Sequence, residues 1–363
     1  MSYNGSMPEP LLDNAATYQR LDPHGLYGRI WSLPEQIDEA WSAAMALPLP
    51  DAYRGVERVV VLGMGGSAIG GSLLQALAVS TGARIPYSVV RGYTLPAYVD
   101  GRTLVLASSN SGNTEETVAA LTAAVEAGAR CVAVATGGRV GELAERHQLP
   151  WLRFAWDGEP RSALGWSTAS LIAVCGRLGL IPDQNHDLAA ALAELRSLRA
   201  TLGRDVPEAA NPAKALARRL AGKLPVFVGA EALTPVAYRW CTQVNENGKS
   251  WAFAEELPEM NHNAPLGFDR PAELVPLLHV VILRHAGMHP RIRLRVDATV
   301  EQLTAAGVAV EVIDIPGASV LAQMLHGVAL GDFTSYYLGL LHGVDPSPVA
   351  ALDWLKSYMA RSR

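Results

Sequence analysis

The strongest constraint on this chain is a pattern that occurs twice near its front. Residues 57–77 read ERVVVLGMGGSAIGGSLLQAL, and residues 103–121 read TLVLASSNSGNTEETVAAL. In each, a short apolar run (59–62, then 104–107) meets a loop of Gly, Ser, Asn and Thr, and an apolar helical pattern follows at once. A strand that breaks into such a loop and restarts as a helix leaves backbone N–H groups unpaired at the positive end of the helix dipole. That arrangement holds a phosphate without any lysine. The hydroxyls of Ser67, Ser109, Ser111 and Thr114 add donors, and Gly65 and Gly66 let an anion approach the main chain closely. Two such loops from strands of one parallel sheet converge at its carboxyl edge, where open α/β folds bind ligands. The expectation is one phosphate-binding pocket.

Other glycine loops match part of the pattern. Gly63-Met64-Gly65-Gly66-Ser67-Ala68 satisfies G-x-G-x-x-G/A, but the acid due about twenty residues on is missing from 85–93. Arg91 keeps an NADP reading open, because an arginine there can meet a 2′-phosphate. A Walker loop is excluded, since no Gly-Lys-Ser/Thr follows the glycines. A turn cluster without a ligand is the plain alternative for the first loop, and the second loop weakens it. Glu115 and Glu116 fall in a first helical turn, where the dipole favours acids, and receive no catalytic role.

A chain of 363 residues is long enough for two domains and a substantial core. With 49% apolar and 18% charged residues it reads as a compact enzyme, and a formal net charge of −5 argues against nucleic acid as a partner. Cys131, Cys175 and Cys241 form neither a C-x-x-C pair nor an even set, and read as reduced, buried thiols of a cytoplasmic protein. The first twenty residues carry neither a basic n-region nor an apolar h-region, and no apolar run approaches membrane-spanning length. The expectation is a soluble, intracellular protein with no membrane partner.

Taken in order, the chain divides into an amino-terminal helical extension (1–50), a first domain (51–185), a helical bridge (186–222) and a second domain (223–363). The extension holds helical patterns at 25–31 and 34–47, the latter starting on Pro34, with Trp31 and Trp41 packing it onto the first domain. Strands are expected at 59–62, 87–91, 104–107, 131–135 and 151–154, with helices near 68–80, 114–127 and 140–147 between them and a longer one at 167–178. Gly128 reads as a helix C-cap. Such alternation implies right-handed βαβ units and a mainly parallel sheet flanked by helices, an α/β fold. The Ala- and Leu-rich span 183–222 reads as helical. Strands return at 226–229, 278–283 and 309–313, with helices at 234–244, 298–306, 324–341 and 348–357. VVVLGMGGSAIGGSLL and PVFVGAEALTPVAYRW share a strand-turn-helix opening, but the second lacks the glycine and hydroxyl cluster. This suggests a duplication in which the first copy alone kept the phosphate site.

Residues 245–268, NENGKSWAFAEELPEMNHNAPLGF, are too long for an ordinary connection and have the polar character of a functional loop. The candidate bases are Glu246, Glu255, Glu256, Glu259 and His262, and composition alone does not choose among them. His285 and His289 are four apart, but Gly287 and Pro290 oppose a helix there, and H-E-x-x-H is missing, so no metal site is expected. A G-x-S-x-G nucleophile fails at Ile69.

The GGS loop and the SSNSGNTEET loop resemble the two phosphate-site signatures of the sugar isomerase (SIS) domain. GMGGSAIGG, SSNSGNTEET, PRSALG (160–165), NENGKSWAFAEELPEMNHN and DPSPVAALDWLK (345–356) occur in the order seen in the bifunctional phosphoglucose/phosphomannose isomerases. LDPHGLYGRI and PEQIDEAW extend the resemblance over nearly the whole chain. One position departs from the family pattern: Ala264 stands where an acid is expected after the NHN segment.

The resemblance implies two SIS-type domains and an aldose–ketose isomerase that interconverts glucose or mannose 6-phosphate with fructose 6-phosphate. It makes Glu246 the base that moves a proton between C1 and C2. His262 would act in ring opening and reach the site from the neighbouring subunit of a homodimer. Lys356 would assist near the ring oxygen or leaving hydroxyl, and Arg161 would stabilise the enediolate and keep water away from it. Gly65, Gly66, Ser67, Ser109, Ser111 and Thr114 would hold the 6-phosphate. This chemistry needs one carboxylate base and fixed positive charge, and neither a redox cofactor nor a metal. An isomerase for another sugar phosphate is one alternative, and a non-catalytic SIS module that senses a sugar phosphate is the main rival reading. It would keep the hydroxyl loops but has no need of Glu246, His262 and Lys356 together.

Overall fold

The structure, a computed structural model, describes residues 11–361. Helices α1 (Ala15–Leu21), α2 (Leu26–Trp31) and α3 (Leu33–Ala46) precede a first α/β unit. That unit runs β1 (Arg58–Leu62), α4 (Gly65–Ser80), β2 (Tyr87–Val90), β3 (Thr103–Ser109), α5 (Glu115–Glu126), β4 (Arg130–Ala135), α6 (Gly138–Arg146), β5 (Trp151–Arg153) and α7 (Leu164–Arg177). Its five strands are all parallel in the order β2-β1-β3-β4-β5. Every residue of β3 is buried, as a central strand covered on both faces requires. The order reverses between β1 and β3, so the loops after these two strands flank the switch point of the sheet.

The expected bridge consists of two helices, α8 (Asn185–Leu202) and α9 (Pro212–Leu220). The break between them follows from Gly203, Pro207 and Asn211, whose side chain caps α9 by accepting from the Ala213 and Lys214 N–H groups. The second unit runs β6 (Leu224–Ala230), α10 (Thr234–Glu246), β7 (Phe253–Leu257), β8 (Leu278–Arg284), α11 (Pro290–Ala305) and β9 (Ala309–Asp314). It closes with α12 (Val320–Leu341) and α13 (Ala350–Ala360). Its strands are parallel in the order β7-β6-β8-β9, the same reversal as in the first sheet.

Three readings of the sequence are corrected here. The stretch 245–268 is not all loop, since β7 lies inside it. As an edge strand with Glu255 and Glu256 exposed and Leu257 its one fully buried residue, β7 has no alternation strong enough to announce it. Helix α11 starts at Pro290 rather than near 298, because arginines in its first two turns mask the apolar period while His289 caps it. Trp31 packs edge-on against Phe333 of α12 and under the Arg199 guanidinium of α8, not onto the first sheet.

One apolar core crosses both units. Its axis is α12, apolar all round and almost wholly buried, as such a helix must be. Helices α8, α9 and α10 pack against it, and α4 joins the halves by touching α7 and α10. Helix α3 lies along α7, and Trp41 donates to Asn185 Oδ1 at 3.1 Å, tying the extension to α8. Arg239 and Asp332 form a buried ion pair between α10 and α12 (2.9 and 2.6 Å). Helix α13 differs from the rest: it buries none of its side chains, and Leu352, Trp354, Leu355, Tyr358 and Met359 all lie exposed. Among the described residues, no helix is long and apolar enough to cross a membrane.

Candidate active site

The two glycine–hydroxyl loops meet as expected. β1 and β3 are adjacent, and Gly63 lies so close to Ser108 that an added Cβ would stand 3.1 Å from the Ser108 carbonyl oxygen. Helix α4 starts directly at Gly65, at φ +50°, and its N-cap, Met64, makes no side-chain capping bond; the Ser67 N–H turns back to the Met64 carbonyl oxygen at 3.1 Å. Gly65 is exposed and Ser67 is buried. In the second loop Ser111 is exposed and Thr114 half-buried at the start of α5, while Ser109 is buried. Ser109 does more bracing than binding: its hydroxyl donates to Thr114 Oγ1 at 3.1 Å and accepts from Gly112 N–H at 3.1 Å. The loop is held from behind as well, where Val140 N–H donates to Gly112 O and Arg139 N–H to Asn113 Oδ1. Gly112, at φ +69°, leaves no room for a side chain, since a Cβ would fall 1.8 Å from Gly137 O.

Arg161 connects this hollow to the second unit. A Cβ on Gly66 would stand 3.4 Å from Arg161 Cα, so the arginine follows the phosphate loop directly. Its side chain is 3% exposed and almost fully committed. Nε donates to Asn247 Oδ1 at 2.6 Å, Nη2 to Pro346 O at 2.7 Å and Ser347 O at 3.0 Å, and Nη1 to Glu246 Oε2 at 3.4 Å. Among the described residues that leaves one N–H on Nη1, beside the Glu246 carboxylate. Burial holds Arg161 below the ordinary arginine value, against the opposing pull of Glu246 and Glu159. Glu246, at the last position of α10, keeps 30% of its side chain exposed toward this space.

Further residues support the pair. Asn247, wholly buried, anchors its own amide to Ser335 Oγ at 3.0 Å while holding Arg161. Arg239 donates to the Arg161 carbonyl at 3.1 Å and is itself fixed by Asp332. Lys249 directs its ammonium at the carbonyl oxygens of Glu246, Pro346 and Pro348. Burial, and then Arg161, push the Lys249 amine down. The amino-terminal extension reaches the same place: His24 contacts Asp345 at 2.7 Å, and Arg29 bonds Glu159 at 3.0 Å. Sequence reasoning passed over Asn247, Lys249 and Arg239. The first two stand inside the NENGK run, and only their polarity next to Glu246 could have flagged them.

The structure sets the GMGGS loop beside the strand that ends at Ser109, which bonds Thr114, packs Gly66 against the Arg161 backbone and joins Arg161 to Glu246, and leaves two named residues apart. His262 ends a short helical turn after β7 and is exposed. Among the described residues, no hydrogen bond or ion pair joins it to the Arg161–Glu246 cluster. Lys356 is 77% exposed on α13 and pairs with Asp353 at 3.8 Å. Of the other acids considered, Glu255, Glu256 and Glu259 are exposed on or just after β7. Ala264 packs partly buried against the core. Arg91 does not face the GMGGS loop, but donates to Ser72 Oγ on the outer face of α4. His289 caps α11 by accepting from Arg291 N–H, and the helix begins only after both histidines.

Two parallel sheets, with glycine–hydroxyl loops at the switch point of the first, are the architecture of a SIS-domain protein. Residues 209–359 match the family model described as the bacterial phospho-glucose isomerase C-terminal SIS domain. The chain is 38% identical over 336 residues to the bifunctional phosphoglucose/phosphomannose isomerase of Caldicellulosiruptor bescii, covering 92% of this chain and 99% of that one. It is 33% identical over 310 residues to the Aquifex aeolicus protein of the same name, covering 85% and 91%. Among solved structures, a hypothetical protein of Thermus thermophilus superposes with a TM-score of 0.74 at 20% identity, covering 97% of this chain and 94% of that one. The chain belongs to the bifunctional phosphoglucose/phosphomannose isomerase family.

Proposed function

We propose that this protein interconverts glucose 6-phosphate and mannose 6-phosphate with fructose 6-phosphate through a base-catalysed enediol, with Glu246 as the base. The observation that supports this reading is the Arg161–Glu246 contact at 3.4 Å, made by an arginine whose backbone packs against Gly66 of the first glycine loop. In the aldose-to-ketose direction the Glu246 carboxylate takes the proton from C2 of the open-chain sugar. The C–H electron pair forms the C1–C2 double bond, and the carbonyl electrons move onto O1. The open Nη1 N–H of Arg161 meets the developing negative charge on O1; the O2 hydroxyl proton then passes to O1, the O2 electron pair forms the C2 carbonyl, and the C1–C2 π pair takes the proton back from Glu246 at C1. Glucose and mannose phosphates differ only at C2, so both yield the same enediol. The 6-phosphate on Gly65, Gly66, Ser67, Ser111 and Thr114 supplies binding energy that places the reacting carbons, while Ser109 holds the loop in shape. Incubation with fructose 6-phosphate in D2O should give both aldose phosphates with deuterium at C2. Absence of either product, or no label at C2, would overturn the proposal.

The proposal extends to a cytoplasmic homodimer in which His262 completes the partner's site and opens the sugar ring, and Lys356 assists at the ring oxygen. What supports it is exposure within a single chain. His262 is exposed close in sequence to the exposed Trp251–Phe253 pair and to Leu266, 91% exposed, and α13 presents an apolar face that the described residues leave uncovered. Glu246→Gln and His262→Ala are each expected to be inactive alone. Mixed and reassembled, they should recover about a quarter of wild-type activity, because half the dimers carry one intact site. Failure to recover any activity would place His262 in its own chain's site or outside the mechanism.

A further inference from the structure

The second sheet has a switch point of its own, between β6 and β8, and a cleft of about 920 Å3 lies over it. Small-molecule sites span roughly 300–1,000 Å3 and in open α/β sheets lie beyond the carboxyl ends of the strands at such a point. The strand ends form one side: Glu231 follows β6, His285 follows β8, and Glu256 stands on β7. The outer face of α4 forms the other, with Arg91 from the end of β2. Neither phosphate loop, nor Arg161, nor Glu246 lines this space.

The wall has the features of a built site. His285 is 4% exposed, yet among the described residues neither of its ring nitrogens has a hydrogen-bond partner. A buried polar group left in that condition costs stability that a ligand restores. Burial, opposed by Glu231, holds this histidine below its ordinary value, so it is a neutral ring with one donor and one acceptor. Glu231 sits at φ +52°, a strained conformation for a side-chain-bearing residue, and its carboxylate accepts from His289 N–H at 3.3 Å. Arg91, braced by Ser72 Oγ at 2.6 Å, is the one arginine or lysine among the described residues that line the cleft. Tyr238, 46% exposed, and Val79, 76% exposed, supply an apolar surface large enough for a ring.

We propose that this cleft is a second ligand site and that its ligand is a mononucleotide, with the phosphate on Arg91, ribose hydroxyls on the Glu231 and Glu256 carboxylates, and the base against Tyr238. The acids are acceptors only, so they select a ligand rich in hydroxyl donors, and one arginine suits one phosphate. A hexose phosphate supplies no flat ring for Tyr238. The second copy lost the glycine–hydroxyl grip of the first, and the anion contact comes instead from Arg91 across the cleft.

The test is calorimetric titration of the full-length protein with AMP, GMP, UMP and CMP, at saturating fructose 6-phosphate. Adenosine and inorganic phosphate serve as controls. At least one mononucleotide should bind with a Kd below ~1 mM, and adenosine and phosphate each more weakly by about tenfold or more. Arg91→Ala and Tyr238→Ala should each weaken that binding about tenfold and leave the KM for fructose 6-phosphate unchanged. The proposal fails if no mononucleotide binds, if fructose 6-phosphate displaces the nucleotide, if phosphate alone binds as well, or if both variants bind like wild type. Because the readout is binding, the result stands apart from whether the isomerase reading is right.

Discussion

Replacing Glu246 by Gln separates chemistry from architecture at this site. Gln keeps the size of the side chain and removes the base. The ground-state contact it disturbs is modest: 3.4 Å long, and one of four that hold Arg161, the other three going to Asn247, Pro346 and Ser347. Charge-assisted bonds of good geometry contribute about 1.5–3 kcal/mol, and one this long contributes less, so the stability cost is set at ~1 kcal/mol, roughly 2 °C in Tm. The catalytic cost is larger, because among the described residues Glu246 is the one carboxylate hydrogen-bonded to Arg161. Loss of a general base should lower kcat about a thousandfold or more, equivalent to ~4 kcal/mol in the barrier. Affinity for a hexose phosphate should stay within a few-fold, since the loops at Gly65 and Ser111 are untouched. The assay is direct product analysis from fructose 6-phosphate, with thermal denaturation and phosphate-ligand binding on the same preparation. A kcat near wild type would remove Glu246 from the mechanism. A large fall in Tm accompanying the loss would show that Glu246 holds the site together rather than moves a proton.

Other substitutions probe the supports. Gly112→Ala forces a Cβ to within 1.8 Å of Gly137 O, so the second loop must shift. It should raise KM about tenfold with kcat little changed. Gly128→Ala, at a similar φ of +71° with no atom within 4 Å, should cost stability alone; equal KM values for the two would refute the argument. Arg239→Met leaves Asp332 buried without its cation and should cost about 3–5 kcal/mol in urea denaturation, most of it recovered when Asp332→Leu is added; a loss below ~1 kcal/mol would contradict this. Burial pushes the Glu311 carboxyl up, but hydrogen bonds from His279 and Arg219 outweigh it and bring it from 4.5 down to about 2. Its folded-state value being depressed, the stabilisation is complete above pH 4.5 and fades as pH falls toward 2. Glu311→Gln should therefore flatten the acid limb of the stability curve, and parallel limbs for wild type and variant would count against the assignment.

The parts of the site that were legible in the sequence are those whose chemistry is local. Gly65, Gly66, Ser111 and Thr114 declare a phosphate loop because main-chain donors, small residues and hydroxyls all fall within a few positions of a strand end. The contact between Arg161 and Glu246 joins residues 85 positions apart and leaves no mark on the composition of either segment; only the family resemblance named both. Lys249 shows the same limit more sharply. Its three carbonyl partners exist because the chain returns at 346–348, after α12 has crossed the core, and nothing in NENGKS anticipates that return. Strand β7 escaped for a related reason: at a sheet edge one buried leucine is enough to place it, and two exposed acids conceal it. The last helix presents the opposite case. Its apolar spacing is plain in the sequence, but none of the described residues covers Leu352, Trp354 and Leu355. The linker that leads to it is held by Arg161 and Lys249 on either side of Glu246, so the start of α13 is fixed at the candidate site even though none of its side chains is buried by the described residues. A helix anchored at its root and apolar along its length needs a surface to lie on. In the proposed dimer the second copy supplies one, and packing there would settle where Lys356 stands relative to the sugar.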